Sequence, residues 1–175
     1  MYYRLRGSGH KNKNNGKHNA DDYYLSDFAN TLNRLYNEIG LNPEITSLNG
    51  FEFGVNIKLP FNPNSFLSNI ILHKSNSGYW TDEKRNYKIY RYKNYSIKFY
   101  NKSELTKDEM YHSDNILRVE VRVEKMKHVK KIMTYTKLSD LLDAELWKQF
   151  EKMLIEVIED CLIIDFTEDG NKSVN

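Results

Sequence analysis

The sequence predicts an α+β domain built on a mainly antiparallel sheet, with helices on one face and an open basic and polar face. Residues 50–59 and 116–124 alternate between apolar and polar side chains, as half-buried strands do. Two more strands, at 87–92 and 95–101, are separated only by the tight turn Lys93–Asn94, so we expect them to form a hairpin. Strands that alternate and pair locally favour an antiparallel sheet with one face against the core.

The N-terminal third contains a basic loop and one helix. We expect a short strand over residues 1–6 and a mobile loop over residues 7–20, which are polar and rich in turn formers. A helix is predicted from 27 to 39, with Ser26 as its cap and Gly40 as its stop.

A second helix is predicted to follow the first long strand. It covers residues 64–73, with Asn64 or Ser65 as its cap and Phe66, Leu67, Ile70 and Ile71 buried. Residues 74–86 are then expected to be a loop before the hairpin begins.

The C-terminal part is predicted to be mainly helical around the strand at 116–124. Short helices are expected at 103–110, 125–132 and 137–142, followed by a long helix from 144 to 163. The long helix has an apolar stripe formed by Trp147, Phe150, Met153, Leu154, Val157, Ile158 and Cys161.

Three segments describe the domain organisation. We expect residues 1–20 to be a basic flexible N-terminal segment, residues 21–166 a single α+β domain, and residues 167–175 a frayed tail. Charge is unevenly distributed along this chain, since residues 140–169 hold ten acids against two lysines, while residues 1–20 hold no acid. A basic front and an acidic back would orient the molecule on an anionic partner.

Composition also excludes some classes of protein. The single cysteine, Cys161, excludes disulfides within the chain and a multi-cysteine zinc site, and we expect it to be a packed thiol. No apolar run approaches the roughly 20 residues that a membrane span needs, so we expect no membrane partner and a cytoplasmic location, in the host cytoplasm if a phage encodes the protein.

Basic and aromatic side chains are interleaved over residues 84–102. This stretch has seven Lys or Arg residues and five Tyr residues, and no acid. Cations attract phosphates and flat rings stack on unpaired bases, so the pattern predicts binding of single-stranded or structured DNA or RNA. The candidate binding residues are Arg4, Arg6, Lys11, Lys13, Lys17, Lys84, Arg85, Lys88, Arg91, Tyr92, Lys93, Lys98, Lys102, Arg118 and Arg122.

Three segments, taken in order, resemble a known family. Residues 48–57, 95–102 and 115–125 are similar to segments of the rolling-circle replication initiators of phages and plasmids, which nick DNA through a tyrosine. Asn101 stands where the family pattern has Asp, the chain is shorter than family members, and no His-hydrophobic-His metal motif occurs.

The resemblance implies a site on the polar face of the sheet. A nicking initiator needs a tyrosine hydroxyl near a divalent cation, Mg²⁺ or Mn²⁺. Tyr100, or else Tyr95, would be the nucleophile, and the best metal ligands are Glu52 and Glu120.

The same residues also have structural interpretations. Glu120 lies between Arg118 and Arg122 and fits a cross-strand ladder of ion pairs. Tyrosines on a half-exposed sheet are good strand formers whatever the function. Residues 7–20 would also suit a solubilising terminus, but the complete absence of acids from them favours a phosphate clamp.

Three functions remain open from the sequence. The first is a nucleic-acid-binding, initiator-like domain of a phage or mobile element that has no catalytic activity and needs no cofactor. The second is an inhibitor of a host defence complex of the CRISPR-Cas type, acting on its guide RNA or nucleoprotein. The third is an active metal-dependent tyrosine nickase. We expect the first, because Asn101 and the short length argue against an intact nicking site.

Overall fold

A computed structural model describes residues 5–80, 87–106, 109–111, 114–129 and 136–164. Five α-helices form over these residues: α1 (Gly9–Lys13), α2 (Leu25–Ile39), α3 (Pro63–Asn69), α4 (Lys102–Leu105) and α5 (Ala144–Glu159). The strands are β1 (Phe51–Lys58), β2 (Ile70–His73), β3 (Tyr79–Trp80), β4 (Tyr87–Arg91), β5 (Tyr95–Asn101), β6 (Ile116–Val123) and β7 (Cys161–Ile163). Short 3-10 helices span Glu109–Tyr111, Met126–Val129 and Leu138–Leu142.

The main sheet has five strands in the order β1-β6-β5-β4-β3, and every neighbouring pair is antiparallel. Strands β2 and β7 form a separate antiparallel pair. The α+β class is therefore confirmed, and so are the hairpin β4–β5 and the two long strands β1 and β6.

One face of the main sheet supports the core. The central strands β5 and β6 supply Ile97, Phe99, Val119 and Val121, all of them almost completely inaccessible to solvent. Leu67 of α3 and residues Leu154 and Val157 of α5 pack against them. Burying several such side chains contributes about 1.5–3 kcal/mol each, so this layer fixes which way each strand faces.

The opposite face carries the polar residues in rows set by the register. Asn56, Arg118, Tyr100 and Tyr87 lie side by side across β1, β6, β5 and β4. The next row contains Gly54, Glu120, Lys98 and Ile89, and the one beyond it Glu52, Arg122, Ser96 and Arg91. The predicted alternation of β1, β5 and β6 is confirmed.

The N-terminal segment differs from the predicted loop, because residues 9–13 form α1. Ser8 caps this helix by accepting a hydrogen bond from Lys11 N, and His10 is buried. Helix α2 begins after Tyr24, whose backbone N–H is bound by the Asp27 carboxylate, so the prediction of Ser26 as the cap is wrong. The predicted stop is confirmed, since Gly40 has φ +69°, a left-handed conformation that suits glycine.

Two helices end earlier than predicted, because a short strand follows each of them. Helix α3 is capped by Asn62, not by Asn64 or Ser65, and gives way to β2 at Ile70. Helix α5 ends at Glu159, so Cys161 lies in β7 and not in the helix. The two strands pair with each other, which supplies the backbone hydrogen bonds that a continued helix would have made. Burial raises the pKa of the Cys161 thiol to about 12, as suits a packed side chain.

Several shorter predictions need adjustment. The predicted loop 74–86 contains the short strand β3. In the predicted helix 103–110, the described residues form the single turn α4 and the start of the 3-10 helix Glu109–Tyr111. The two short C-terminal helices are of the 3-10 type. The predictions for residues 1–4, 81–86, 130–132 and 167–175 lie outside the described residues.

Candidate nucleic-acid interface

Five side chains meet at the centre of the polar face and form what we call the carboxylate–cation cluster: Glu52, Lys98, Tyr100, Arg118 and Glu120. Glu120 Oε1 accepts hydrogen bonds from Tyr100 Oη at 2.9 Å and from Arg118 Nε at 3.0 Å. Lys98 Nζ lies 3.5 Å from Glu120 Oε2 and donates to Glu52 Oε2 at 3.1 Å. Glu120 is only 4% exposed, so these partners replace most of its hydration.

The register explains why these residues meet. Lys98 is directly opposite Glu120, and Tyr100 is opposite Arg118. Gly54 is the neighbour of Glu120 on β1. A Cβ at Gly54 would lie 2.8 Å from Glu120 Cγ and 2.3 Å from the carbonyl oxygen of Val119. The glycine therefore provides the close approach of β1 to β6 and the space over which Glu120 lies.

The two glutamates of the cluster differ in acidity. Burial would raise the pKa of Glu120, but the charge of Arg118 and the hydrogen bonds of the cluster hold it below the ordinary value. Burial and the neighbouring Glu120 raise the pKa of Glu52. Glu120 is thus the carboxylate that stays ionised, and Glu52 is the one that takes up a proton more readily.

Tyr100 is held in a way that opposes nucleophilic use. It is 6% exposed and Tyr87 stacks on it with ring centroids 4.7 Å apart. Burial, followed by the charge of Glu120, raises its pKa far above the ordinary tyrosine value. An activated nucleophile needs a lowered pKa or an accessible hydroxyl beside a base, whereas the Tyr100 hydroxyl is a buried donor. The nucleophile role of Tyr100 stays a prediction that this geometry does not favour.

The fit of a divalent cation can be judged from the donors. In the described part of the chain, no group of three or more His, Cys, Asp or Glu side chains is placed to hold a metal ion. Glu52 and Glu120 do come together, but the ammonium of Lys98 binds both of them. A cation there would have to displace Lys98 and would be repelled by Arg118. The pair does not fit Mg²⁺ or Mn²⁺ as metal ligands.

Asn101, at the position of the family aspartate, caps a helix. Its side-chain oxygen accepts from Glu104 N at 3.3 Å, at the start of α4, and its amide donates to Asn64 and Glu104. The residue is almost fully buried. These contacts give Asn101 a structural role in the turn that leaves β5.

One side of the polar face is covered by the N-terminal segment. Asn56 Nδ2 donates to Ala20 O at 2.9 Å, and Lys102 Nζ donates to Asn19 Oδ1. Arg118 Nη1 in turn donates to Asn56 Oδ1 at 3.1 Å. Burial, and then the charge of Arg118, lowers the pKa of Lys102 to about 8. The predicted open face is therefore closed over Lys102 and Arg118.

Several predicted nucleic-acid ligands are already engaged elsewhere. Lys88 is on the core face, 7% exposed, where its Nζ donates to Ile70 O and lies 4.9 Å from the Trp80 ring centroid. Tyr92 donates to His73 O at 2.9 Å. Lys13 pairs with Asp21 and Asp27. Arg4, Lys84 and Arg85 lie outside the described residues, and Arg6, Lys11 and Lys17 are exposed on the N-terminal segment.

Five exposed cations gather at one end of the sheet, which we call the basic rim: Arg91, Lys93, Arg122, Lys125 and Lys127. Arg91 and Arg122 flank Ser96 across the strands. The turn residue Asn94 accepts from the backbone N–H of Glu124 and Lys125, both at 3.0 Å, which brings the turn and the end of β6 together. An acid lies close to this group, since Glu124 Oε1 is 3.7 Å from Arg91 Nη1.

Two members of the basic rim, Lys125 and Lys127, were not among the residues predicted from the sequence. A signal for them exists, because residues 125–131 contain four lysines and no acid. Aromatic rings accompany the rim. Arg91 lies over the Tyr79 ring at 5.8 Å, and Tyr92, Tyr95 and His128 form one continuous stack.

Comparison of the chain with protein-family models, curated proteins and solved structures finds no match. No helix in the described ranges is long and apolar enough to cross a membrane.

Proposed function

We propose that this protein is a nucleic-acid-binding domain that acts without catalysis and contacts the phosphate backbone through the basic rim. The observation that carries the proposal is the gathering of five exposed cations at the end of the sheet where strand β6 and the β4–β5 turn meet. Exposed Lys and Arg side chains release counterions when they contact phosphates, which supplies most of the affinity for nucleic acid.

The state of the carboxylate–cation cluster supports binding over nicking. Lys98 and Arg118 are nearly buried and are paired with Glu120, so they serve the fold and not a ligand. The Tyr100 hydroxyl donates to the same carboxylate. Nicking activity would require this network to open before either a metal ion or a phosphate could enter.

The aromatic rings beside the basic rim favour single-stranded or structured nucleic acid as the ligand. Tyr79 and His128 flank the cations and are at least partly accessible. Unpaired bases can stack on such rings, whereas the bases of a regular duplex are already stacked on one another. The resemblance to rolling-circle initiators points to the same class of ligand and remains a prediction.

The test is the salt dependence of binding, measured by fluorescence anisotropy with a labelled single-stranded oligonucleotide. The variant Lys93→Ala/Arg122→Ala removes two rim cations. Each phosphate contact contributes about 0.7 to the slope of log K against log salt for a single strand, so the slope should flatten by about 1.4.

The matched control is Lys148→Ala/Lys152→Ala, which removes two exposed charges from α5. It changes the net charge equally but leaves the rim intact, and should keep the wild-type slope. Equal loss of affinity in the two variants would mean that net charge, not the rim, determines binding.

A further inference from the structure

A small recess opens on the core side of the sheet, beside the basic rim. It has a volume of about 80 Å³ and lies between the start of β5, the end of β6 and helix α5. Its lining includes His73, Lys74, Tyr95, His128, Glu156 and Asp160. An engineered cavity that holds benzene measures about 150 Å³, so this recess has room for the edge of a planar ring and not for a whole base.

His73 lines the recess and has a buried acceptor without a partner in the described part of the chain. His73 is 1% exposed, and its Nε2 has no hydrogen-bond partner among the described residues. The Tyr92 hydroxyl donates its single hydrogen to His73 O at 2.9 Å. It therefore has no hydrogen left for His73 Nδ1, 2.5 Å away, and Nδ1 must be the donor to the hydroxyl oxygen. Burial lowers the pKa of His73, which keeps the ring neutral. Nε2 is then a bare lone pair.

One wall of the recess is the end of the aromatic stack. Tyr92 and Tyr95 are parallel within 13° at 4.6 Å, and Tyr95 and His128 within 15° at 3.8 Å. Tyr95 has a ring on each side, so His128 ends the column. A planar group that enters the recess would meet this stack.

The charges of the recess select against a phosphate. Lys74 is paired with Asp160 at 3.1 Å, so its charge is neutralised. The exposed Glu156 carboxylate repels an anion. It suits instead a neutral planar group with N–H donors on its edge.

We propose that the recess receives the edge of one unpaired nucleobase bearing an exocyclic amino group, stacked against His128, while the flanking phosphates lie on the basic rim. This inference rests on the proposed function. The rim cations Arg91 and Arg122 flank Ser96, whose side chain is on the face of the sheet opposite Tyr95, so they lie away from the recess. Lys127 of the rim is exposed and directly precedes His128, and Lys125 is exposed two residues earlier, so phosphates that flank a base stacked on His128 can reach these two cations.

The test uses an oligothymidylate with a single central 2-aminopurine, whose fluorescence falls when it stacks. The protein is expected to quench this fluorescence, and His128→Ala to abolish the quenching. Replacing the central base by an abasic site should weaken binding about tenfold, in line with one stacked base. Tyr36→Ala removes an exposed ring from helix α2, which has no part in the proposed surface, and should leave the quenching unchanged.

A second variant keeps the test decisive if His128→Ala does not fold. Glu156 is exposed on α5, and Glu156→Gln should keep the fold but reduce the preference for oligodeoxycytidylate over oligothymidylate, since thymine has no amino group. Free 2-aminopurine nucleoside at the same concentration should not be quenched, because it lacks the phosphates. Equal quenching of the free nucleoside would contradict the proposal that the recess binds a base as part of a nucleic-acid strand.

The two proposals fail in different ways. Salt-sensitive binding of all the oligonucleotides, with quenching that persists in His128→Ala and an unchanged base preference in Glu156→Gln, would overturn the recess alone. The abasic oligonucleotide presents only phosphates and sugars at its centre. If neither it nor the parent oligonucleotide binds, the proposed function falls as well.

Discussion

Replacing Glu120 by glutamine should destabilise the fold far more than the same change at Glu52. Glu120 is buried and holds three groups, Tyr100, Arg118 and Lys98. A glutamine of the same shape removes the negative charge and leaves the two nearly buried cations without it. Glu52, by contrast, forms one ion pair among the described residues, with Lys98, and 37% of its side chain is exposed.

The size of the effect follows from the burial. Removing one partner of a buried ion pair costs about 3–5 kcal/mol, and glutamine can keep one accepting hydrogen bond, so we expect about 3 kcal/mol for Glu120→Gln. Glu52→Gln should cost less than about 1 kcal/mol, as for a surface pair. With a urea m-value of about 2 kcal/mol/M, the first change lowers the unfolding midpoint by about 1.5 M.

The assay is urea unfolding followed by circular dichroism at several pH values. The Glu120 pKa is lowered in the fold, so its contribution is present above the unfolded-state pKa of about 4.5 and is lost as the pH falls below it. The gap between wild type and Glu120→Gln should therefore shrink in acid. Equal and small losses for both glutamines would refute the assignment of Glu120 as the centre of a closed structural network.

Two further predictions concern the same face. Gly54→Ala should cost about 2 kcal/mol or more in urea unfolding, because its Cβ would overlap the Val119 carbonyl, whereas Gly7→Ala, with no atom within 4 Å, should cost little. Lys102 has a pKa of about 8 in the fold against 10.5 unfolded, so the unfolded state binds more protons and the free energy of unfolding should rise between pH 8 and 10. Lys102→Met should abolish that rise; a rise that persists in this variant would assign it to another group.

The strands could be predicted from the sequence because the alternation of apolar and polar residues within each one shows which residues share a face. In β6 the valines alternate with Arg118, Glu120 and Arg122, and the core then decides which set is buried. The sequence of a single strand does not determine its register with a neighbouring strand. The pairing of Lys98 with Glu120 depends on that register, and this is why two candidate functional residues became partners in an ion pair.

The errors have physical causes of the same kind. The prediction placed all the basic residues of 84–102 on one surface. Lys88 and Tyr87 are neighbours on β4, so their side chains point to opposite faces, and Lys88 faces the core with Phe99. Period-two alternation alone could have revealed this. Strand β7 has only three residues, and its pairing with β2 is a long-range contact that local helix propensity cannot anticipate. The N-terminal segment packs on the sheet through Asn19 and Ala20, which no local pattern marks.

The most direct test of binding without chemistry incubates the protein with labelled single-stranded and hairpin DNA, with Mn²⁺ or with EDTA. Each sample is then run on a native and on a denaturing gel. We predict a retarded complex on the native gel that EDTA does not weaken, and no labelled band at the protein's position on the denaturing gel. A covalent band that needs Mn²⁺ and disappears in Tyr100→Phe would contradict the account and make Tyr100 a nucleophile.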